Sequence, residues 1–110
     1  MKTLYKILIQ MLAILLLPAV SYAYVTVSGN VSGQTWSGTN TYYVNGNIQV
    51  DNGSTLNIQA GAVVKFAPSV YAMVYGSMVA TGASANKIIF TSRDDNTVGE
   101  IIAGSDGMPN

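Results

Sequence analysis

The sequence contains no cysteine and no histidine. The first absence excludes disulfide staples and thiolate nucleophiles, and the second excludes His-ligated zinc and Ser-His-Asp triads. Charge is sparse as well. Asp, Glu, Lys and Arg make up 9% of the chain and balance to a formal net charge of zero. No basic stripe is available to neutralise phosphates, so nucleic acid is not an expected partner. Without staples, a domain of 110 residues must be held together by its apolar core. What is abundant is glycine, at 11 residues, with much Asn, Ser and Thr. That composition suits short strands joined by tight turns.

The N-terminal segment has a different character. Lys2 and Lys6 precede Ile7–Leu17, a run that is apolar except for Gln10. Pro18 then breaks the helix, and Ser21-Tyr22-Ala23 places small residues at the −3 and −1 positions of a cleavage site. This is the layout of a bacterial secretory signal peptide over residues 1–23, with a helical apolar region. The run is shorter than the roughly 20 residues that a spanning helix needs. No cysteine follows that could carry a lipid. The expected destination is secreted or cell-envelope, with no membrane attachment after cleavage. The chain beyond residue 23 carries Lys65, Lys87 and Arg93 against Asp51, Asp94, Asp95, Glu100 and Asp106, a net charge of −2.

Beyond residue 23 no helical period is present; β-branched and aromatic residues alternate with Gly and Asn instead. Strands are predicted near Tyr24–Ser28, Thr41–Val44, Asn47–Val50, Thr55–Ile58, Ala62–Phe66, Ala72–Tyr75, Ser77–Ala80 and Lys87–Thr91. Asn45-Gly46, Asn52-Gly53, Ala60-Gly61, Ala67-Pro68, Gly76 and Thr81-Gly82 punctuate them. Antiparallel hairpins in a sandwich and stacked coils in a solenoid both fit such a string.

A weak internal repeat favours the solenoid. The strand centres Gln49, Asn57 and Lys65 recur as Met73, Val79 and Ile89, at offsets of 24, 22 and 24 residues. A three-sided coil predicts such an offset, each strand lying about 4.8 Å above its counterpart in parallel register. Side-chain alternation then assigns a core of Ile48, Val50, Leu56, Ile58, Val64, Phe66, Met78, Ala80, Ile88 and Phe90, with Lys65 pointing the other way.

Residues Gly53–Phe66 read G-S-T-L-N-I-Q-A-G-A-V-V-K-F, followed by Gly76-Ser77-Met78-Val79-Ala80-Thr81-Gly82 and Ile88-Ile89-Phe90-Thr91-Ser92. This succession resembles the N-terminal coils of secreted bacterial right-handed parallel β-helix proteins, pectate-lyase-like and adhesin-like. The resemblance covers most of residues 25–92. It implies an all-β right-handed parallel β-helix of about two coils. Residues 24–46 would form an N-terminal cap and first strands, with Trp36 over the end of the core. Residues 47–92 would form the coils, and 93–110 an acidic Gly-containing loop without fixed structure. In such proteins that loop leads into further coils, so the resemblance also implies a truncated chain. It does not specify activity, because such proteins include adhesins, surface proteins and polysaccharide-processing enzymes.

No catalytic residue and no cofactor is assigned from the sequence. The candidate metal ligands are Asp94, Asp95, Glu100 and Asp106, for calcium, since clustered carboxylates in a Gly-containing loop can supply oxygen ligands. EF-hand spacing is absent, and a solvated loop is the alternative. Asp94 and Asp95 are also the nearest thing to a glycosidase carboxylate pair, and Arg93 to a lyase base, without a strand to fix them. Tyr42, Tyr43, Tyr71 and Tyr75 are candidates for stacking on sugars, or for packing along the strands. Asn45, Asn47, Asn52 and Asn57 fit either stacked ladders or ordinary turn chemistry. Two functions follow: an exported non-enzymatic scaffold with extracellular polysaccharide or the cell surface as partner, or a fragment of a polysaccharide lyase or hydrolase. End-to-end self-association is a third possibility, because open coil ends carry unpaired strand edges.

Overall fold

The computed structural model describes residues 23–109. The expected signal peptide lies outside the described residues except for Ala23. The described chain forms eight strands: β1 (Val25–Asn30), β2 (Thr35–Trp36), β3 (Thr41–Val50), β4 (Thr55–Ile58), β5 (Val63–Phe66), β6 (Ala72–Val74), β7 (Ser77–Ala80) and β8 (Ile89–Ser92). Every pairing between these strands is parallel. Among the described residues no helix is long and apolar enough to cross a membrane.

The long strand β3 explains the architecture. Its first part, Thr41–Val44, pairs with β5, while Ile48–Val50 pairs with β6. β1 lies against both parts, with a register shift between Val27 and Gly29. Three stacks of strands result. The first contains Val25–Val27, Thr41–Val44, β5 and β8. The second contains Gly29–Asn30, Ile48–Val50 and β6, and the third contains β2, β4 and β7. The chain is a parallel β-helix with three layers on each side and a fourth on the first side. It is taller than the two coils read from the sequence, because the offsets began at Gln49 and left β1 and β2 uncounted.

Two of the three predicted registers hold residue for residue: Gln49 pairs with Met73, and Asn57 with Val79. The third is corrected. Lys65 pairs with Thr91, not Ile89. The two additional residues are taken up in an exposed excursion at Ala83–Asn86, closed by reciprocal backbone bonds of 3.0 Å.

Stacking in register places like side chains above one another. Val44 lies under Phe66, Val50 under Val74, and Leu56 under Met78. Ile48, Val50, Leu56, Ile58, Ala62 and Val64 form the buried centre with Val31, Trp36 and Tyr42. Trp36 stacks on Tyr42 with ring centroids 4.7 Å apart, so it belongs to the N-terminal layer of the core itself. Two assigned core residues are corrected: Ala80 is exposed and Phe90 is 47% exposed. Both continue inward columns, Ala80 over Ile58 and Phe90 over Val64, but they are the last members, and no described strand covers them. Phe66, Met78 and Ile88 pack partly against the centre.

Corners bring backbone close to backbone. Gly53 turns with φ +79° between the second and third stacks. In the next layer, a Cβ on Gly76 would lie 2.2 Å from the carbonyl oxygens of both Asp51 and Ser54. Only glycine allows that approach without displacing a layer.

Candidate functional site

The chemically unusual position is Lys65, at the middle of β5 between inward Val64 and Phe66. Alternation sends it outward, as the sequence implies, yet it is fully buried. The cover is the segment expected to be a loop without fixed structure. After the last ladder bond, from Arg93 N to Phe66 O (2.8 Å), the chain leaves the helical path. Bonds from Asp94 N to Ser92 Oγ (3.1 Å) and from Asp95 N to Ser92 O (3.1 Å) reverse it. Residues 95–103 then run back as a strap over the outside of the first stack, and Ser105 and Asp106 fold against Asn96 and Asp94.

The strap is fastened layer by layer. Lys65 Nζ donates to the carbonyl oxygens of Asp95 (2.6 Å) and Glu100 (2.7 Å). Glu100 N donates to Thr41 Oγ1 (3.0 Å), one layer down, and Ala103 N to the Tyr24 hydroxyl (3.2 Å), at the start of the stack. Ile102 is buried on the same segment. At Gly99, φ is +58° and a Cβ would lie 2.6 Å from Thr41 Oγ1, so glycine is what lets the strap lie close to the sheet. Burial lowers the Lys65 pKa from the ordinary lysine value, and the charges of Asp95 and Glu100 oppose that shift.

The four candidate calcium ligands all lie on this strap or beside it, but their carboxylates have separate uses. Asp94 is buried and accepts from Arg93 Nε (3.1 Å) and Asp106 N (3.2 Å). Arg93 is the main cause that holds its pKa below the ordinary value. Asp95 accepts from the Thr97 hydroxyl and backbone N–H and from the Thr91 hydroxyl (2.8 Å). These bonds, Thr97 first, push its pKa to about 2. Asp106 accepts from Met108 N (2.8 Å). Glu100 fastens the strap through its backbone. Among the described residues no three acidic side chains come together as a group that could hold a metal ion. Asp94 and Asp95 do not face one another across a cleft, and no pocket opens among the described residues.

A pH dependence follows. The Asp95 pKa falls from 3.8 to about 2 on folding, so the ionised form is the one the fold favours. That contribution is complete above the unfolded value and is lost as pH falls through the folded one. Asp51 and Asp94 shift in the same direction. Urea-unfolding midpoints are therefore expected to fall steeply between about pH 4 and pH 2. Asp95→Asn is expected to flatten that limb while leaving its neutral-pH end close to wild type in slope. A limb unchanged in the variant would remove Asp95 as a source.

A second polar cluster lies on the second stack. Asn30 Nδ2 (2.8 Å) and Gln49 Nε2 (2.7 Å), neighbours in adjacent layers, both donate to the Asp51 carboxylate, and Asp51 N donates to Ser32 Oγ (2.8 Å). The tyrosines divide. Tyr42 is core, and Tyr43 meets Tyr24 edge-on at 6.0 Å. Tyr71 and Tyr75 are 54% and 63% exposed. Asn47, within β3, accepts through Oδ1 from Tyr71 N (3.1 Å) in the next layer, a bond from side chain to backbone between layers and not a ladder of asparagines. The residues that sequence reasoning missed are Lys65, Thr41 and Tyr24. The available signal was a lone lysine in the apolar run Val63-Val64-Lys65-Phe66.

Comparison with known proteins agrees with this architecture. The sequence model of the pectate-lyase-like β-helix domain matches residues 29–105, from the end of β1 into the strap. Protein bark beetle of Drosophila melanogaster is similar, 36% identical over 74 residues, which is 67% of this chain. This chain spans only 2% of the length of that relative. No solved structure matches. With the strand layers, the corner glycines and most of the strap inside the matched region, the chain belongs to the pectate-lyase-like β-helix family.

Proposed function

We propose that the protein is an exported, non-enzymatic β-helix scaffold that works at the cell surface, with extracellular polysaccharide as its partner. One observation carries this reading: five of the eight charged side chains beyond residue 23, namely Lys65, Arg93, Asp51, Asp94 and Asp95, are committed to holding the fold. Lys65 is buried under the strap, and Arg93 is paired with Asp94. Asp51 is held by Asn30 and Gln49, and Asp95 by Thr91 and Thr97. Asp95, whose pKa is held at about 2, lies far from the neutral range in which a general acid or base works best. The exposed Tyr71 and Tyr75 offer apolar faces with polar tips, a chemistry suited to sugar rings. The signal-peptide layout of residues 1–23 supports export.

The test is to incubate the purified protein with a panel of immobilised polysaccharides and with whole cells. The same polysaccharides in solution are then assayed for new reducing ends and unsaturated products. Retention without product is expected, weakened by Tyr71→Ala and Tyr75→Ala together. Product release above the buffer rate would replace the scaffold reading with that of a lyase or hydrolase fragment. Retention on no surface would remove adhesion.

A further inference from the structure

The sequence contains two Asn-Gly pairs, Asn45-Gly46 and Asn52-Gly53. We propose that Asn52 is a site of spontaneous covalent modification in the folded protein, and that the fold protects Asn45 from the same reaction. In this chemistry the backbone nitrogen of the following glycine attacks the asparagine side-chain carbon. A new C–N bond closes a cyclic imide, and the side-chain nitrogen leaves as ammonia. Water then opens the ring at one of its two carbonyls, leaving aspartate or isoaspartate. One water is consumed and one ammonia released, with no other reactant. Glycine favours the attack because no Cβ shields its nitrogen.

The two sites have the same residue pair but different surroundings. Asn52 and Gly53 are both exposed and lie outside every strand. Their turn is closed by one backbone bond, Ser54 N to Asp51 O at 3.1 Å. No heavy atom lies within 4 Å of where a Gly53 Cβ would be. Among the described residues neither the Asn52 side chain nor the Gly53 N–H has a hydrogen-bond partner. The nitrogen and carbon that must meet are therefore free to do so. Asn45-Gly46 lies inside β3. On one side Val44 is paired with Val27 and Phe66, and on the other Ile48 is paired with Gly29 and Ala72. A Cβ on Gly46 would lie 3.3 Å from Ser28 Cβ, so this backbone is crowded by β1. Ring closure at Asn45 requires rotation out of an extended strand held from both sides, which carries part of the cost of opening the stack. Conversion at Asn52 adds a negative charge beside Asp51, at the corner directly beneath Gly76.

The purified protein, held folded in mildly alkaline buffer at growth temperature, is sampled over days. Peptide mapping by mass spectrometry counts amide-to-acid conversion at each asparagine, and chromatography separates isoaspartate. Conversion at Asn52 is expected to run several-fold faster than at Asn45. In urea, where both pairs are unfolded, the two rates are expected to converge. Equal rates in the folded protein, or faster conversion at Asn45, would overturn the proposal. So would an Asn52 preference that persists undiminished in urea, since sequence and not fold would then be its source.

Discussion

Lys65→Met is expected to destabilise the protein by about 2–4 kcal/mol and to release the strap. Methionine retains most of the aliphatic stem but removes both donors, leaving the Asp95 and Glu100 carbonyls without their partner. Two bonds to a charged group are worth about 1.5–3 kcal/mol each, and relief of the buried ammonium offsets part of that loss. The change has a local signature. Amide exchange at Glu100 and Ala103, which donate to Thr41 and Tyr24, is expected to accelerate strongly, while exchange in β4 changes only with global stability. Lys65→Arg is not expected to restore the strap, because a planar guanidinium cannot reproduce a point donor between two carbonyls. Unchanged strap protection in Lys65→Met would show that Ile102 and the bonds to Thr41, Tyr24 and Thr91 hold the segment without the lysine.

A second pair of substitutions separates the middle of the stack from its end. Leu56→Ala is expected to cost about 3–5 kcal/mol, since a large aliphatic side chain is removed from a site that cannot collapse. Leu56 has no solvent exposure and lies under Met78. Phe90→Ala, although it removes a larger side chain, is expected to cost only about 1 kcal/mol, because transfer to water scales with the area actually buried. Phe90 is nearly half exposed on the last layer. Denaturant midpoints of the two variants at matched slope are the check. Equal losses would mean that Phe90 is covered in solution by something the described chain does not supply.

How much of this was legible in the sequence depended on how local the determining contacts are. β4 and β7 were read with their observed bounds, because alternation over Thr55–Ile58 and Ser77–Ala80 is a two-residue period. The offsets from Gln49 to Met73 and from Asn57 to Val79 were legible for the same reason. β2 was missed, since two residues are too few to show a period. β3 was read as two strands, because Asn45-Gly46 has the composition of a turn; both halves remain paired, so the strand bends without ending. The third register slipped by two residues because nothing in Thr81–Lys87 indicates the small closed excursion at Ala83–Asn86.

The strap was the least legible part. The outward phase of Lys65 followed from its neighbours, but its acceptors lie 30 and 35 residues further on, in a segment with no hydrophobic period. Composition alone makes Arg93–Asp95, Glu100 and Asp106 look like a solvated or metal-binding loop. Only the path of the chain shows that two backbone carbonyls, and not the carboxylates, meet the one buried charge on β5. The same separation explains why Asn52 and Asn45 are indistinguishable in sequence: their difference is whether neighbouring layers hold the backbone.

The account as a whole depends on parallel stacking in register, and an engineered crosslink tests it most directly. The chain has no cysteine, so Asn57→Cys combined with Val79→Cys introduces a single pair at outward positions of neighbouring layers. Parallel neighbours stand about 4.8 Å apart, within the range a disulfide spans. Mild oxidation is expected to close an intramolecular disulfide rapidly in the folded monomer, and much more slowly when the second cysteine is placed by Met78→Cys, an inward position. Failure of the Asn57–Val79 pair to close, or closure only between molecules, would contradict the stack.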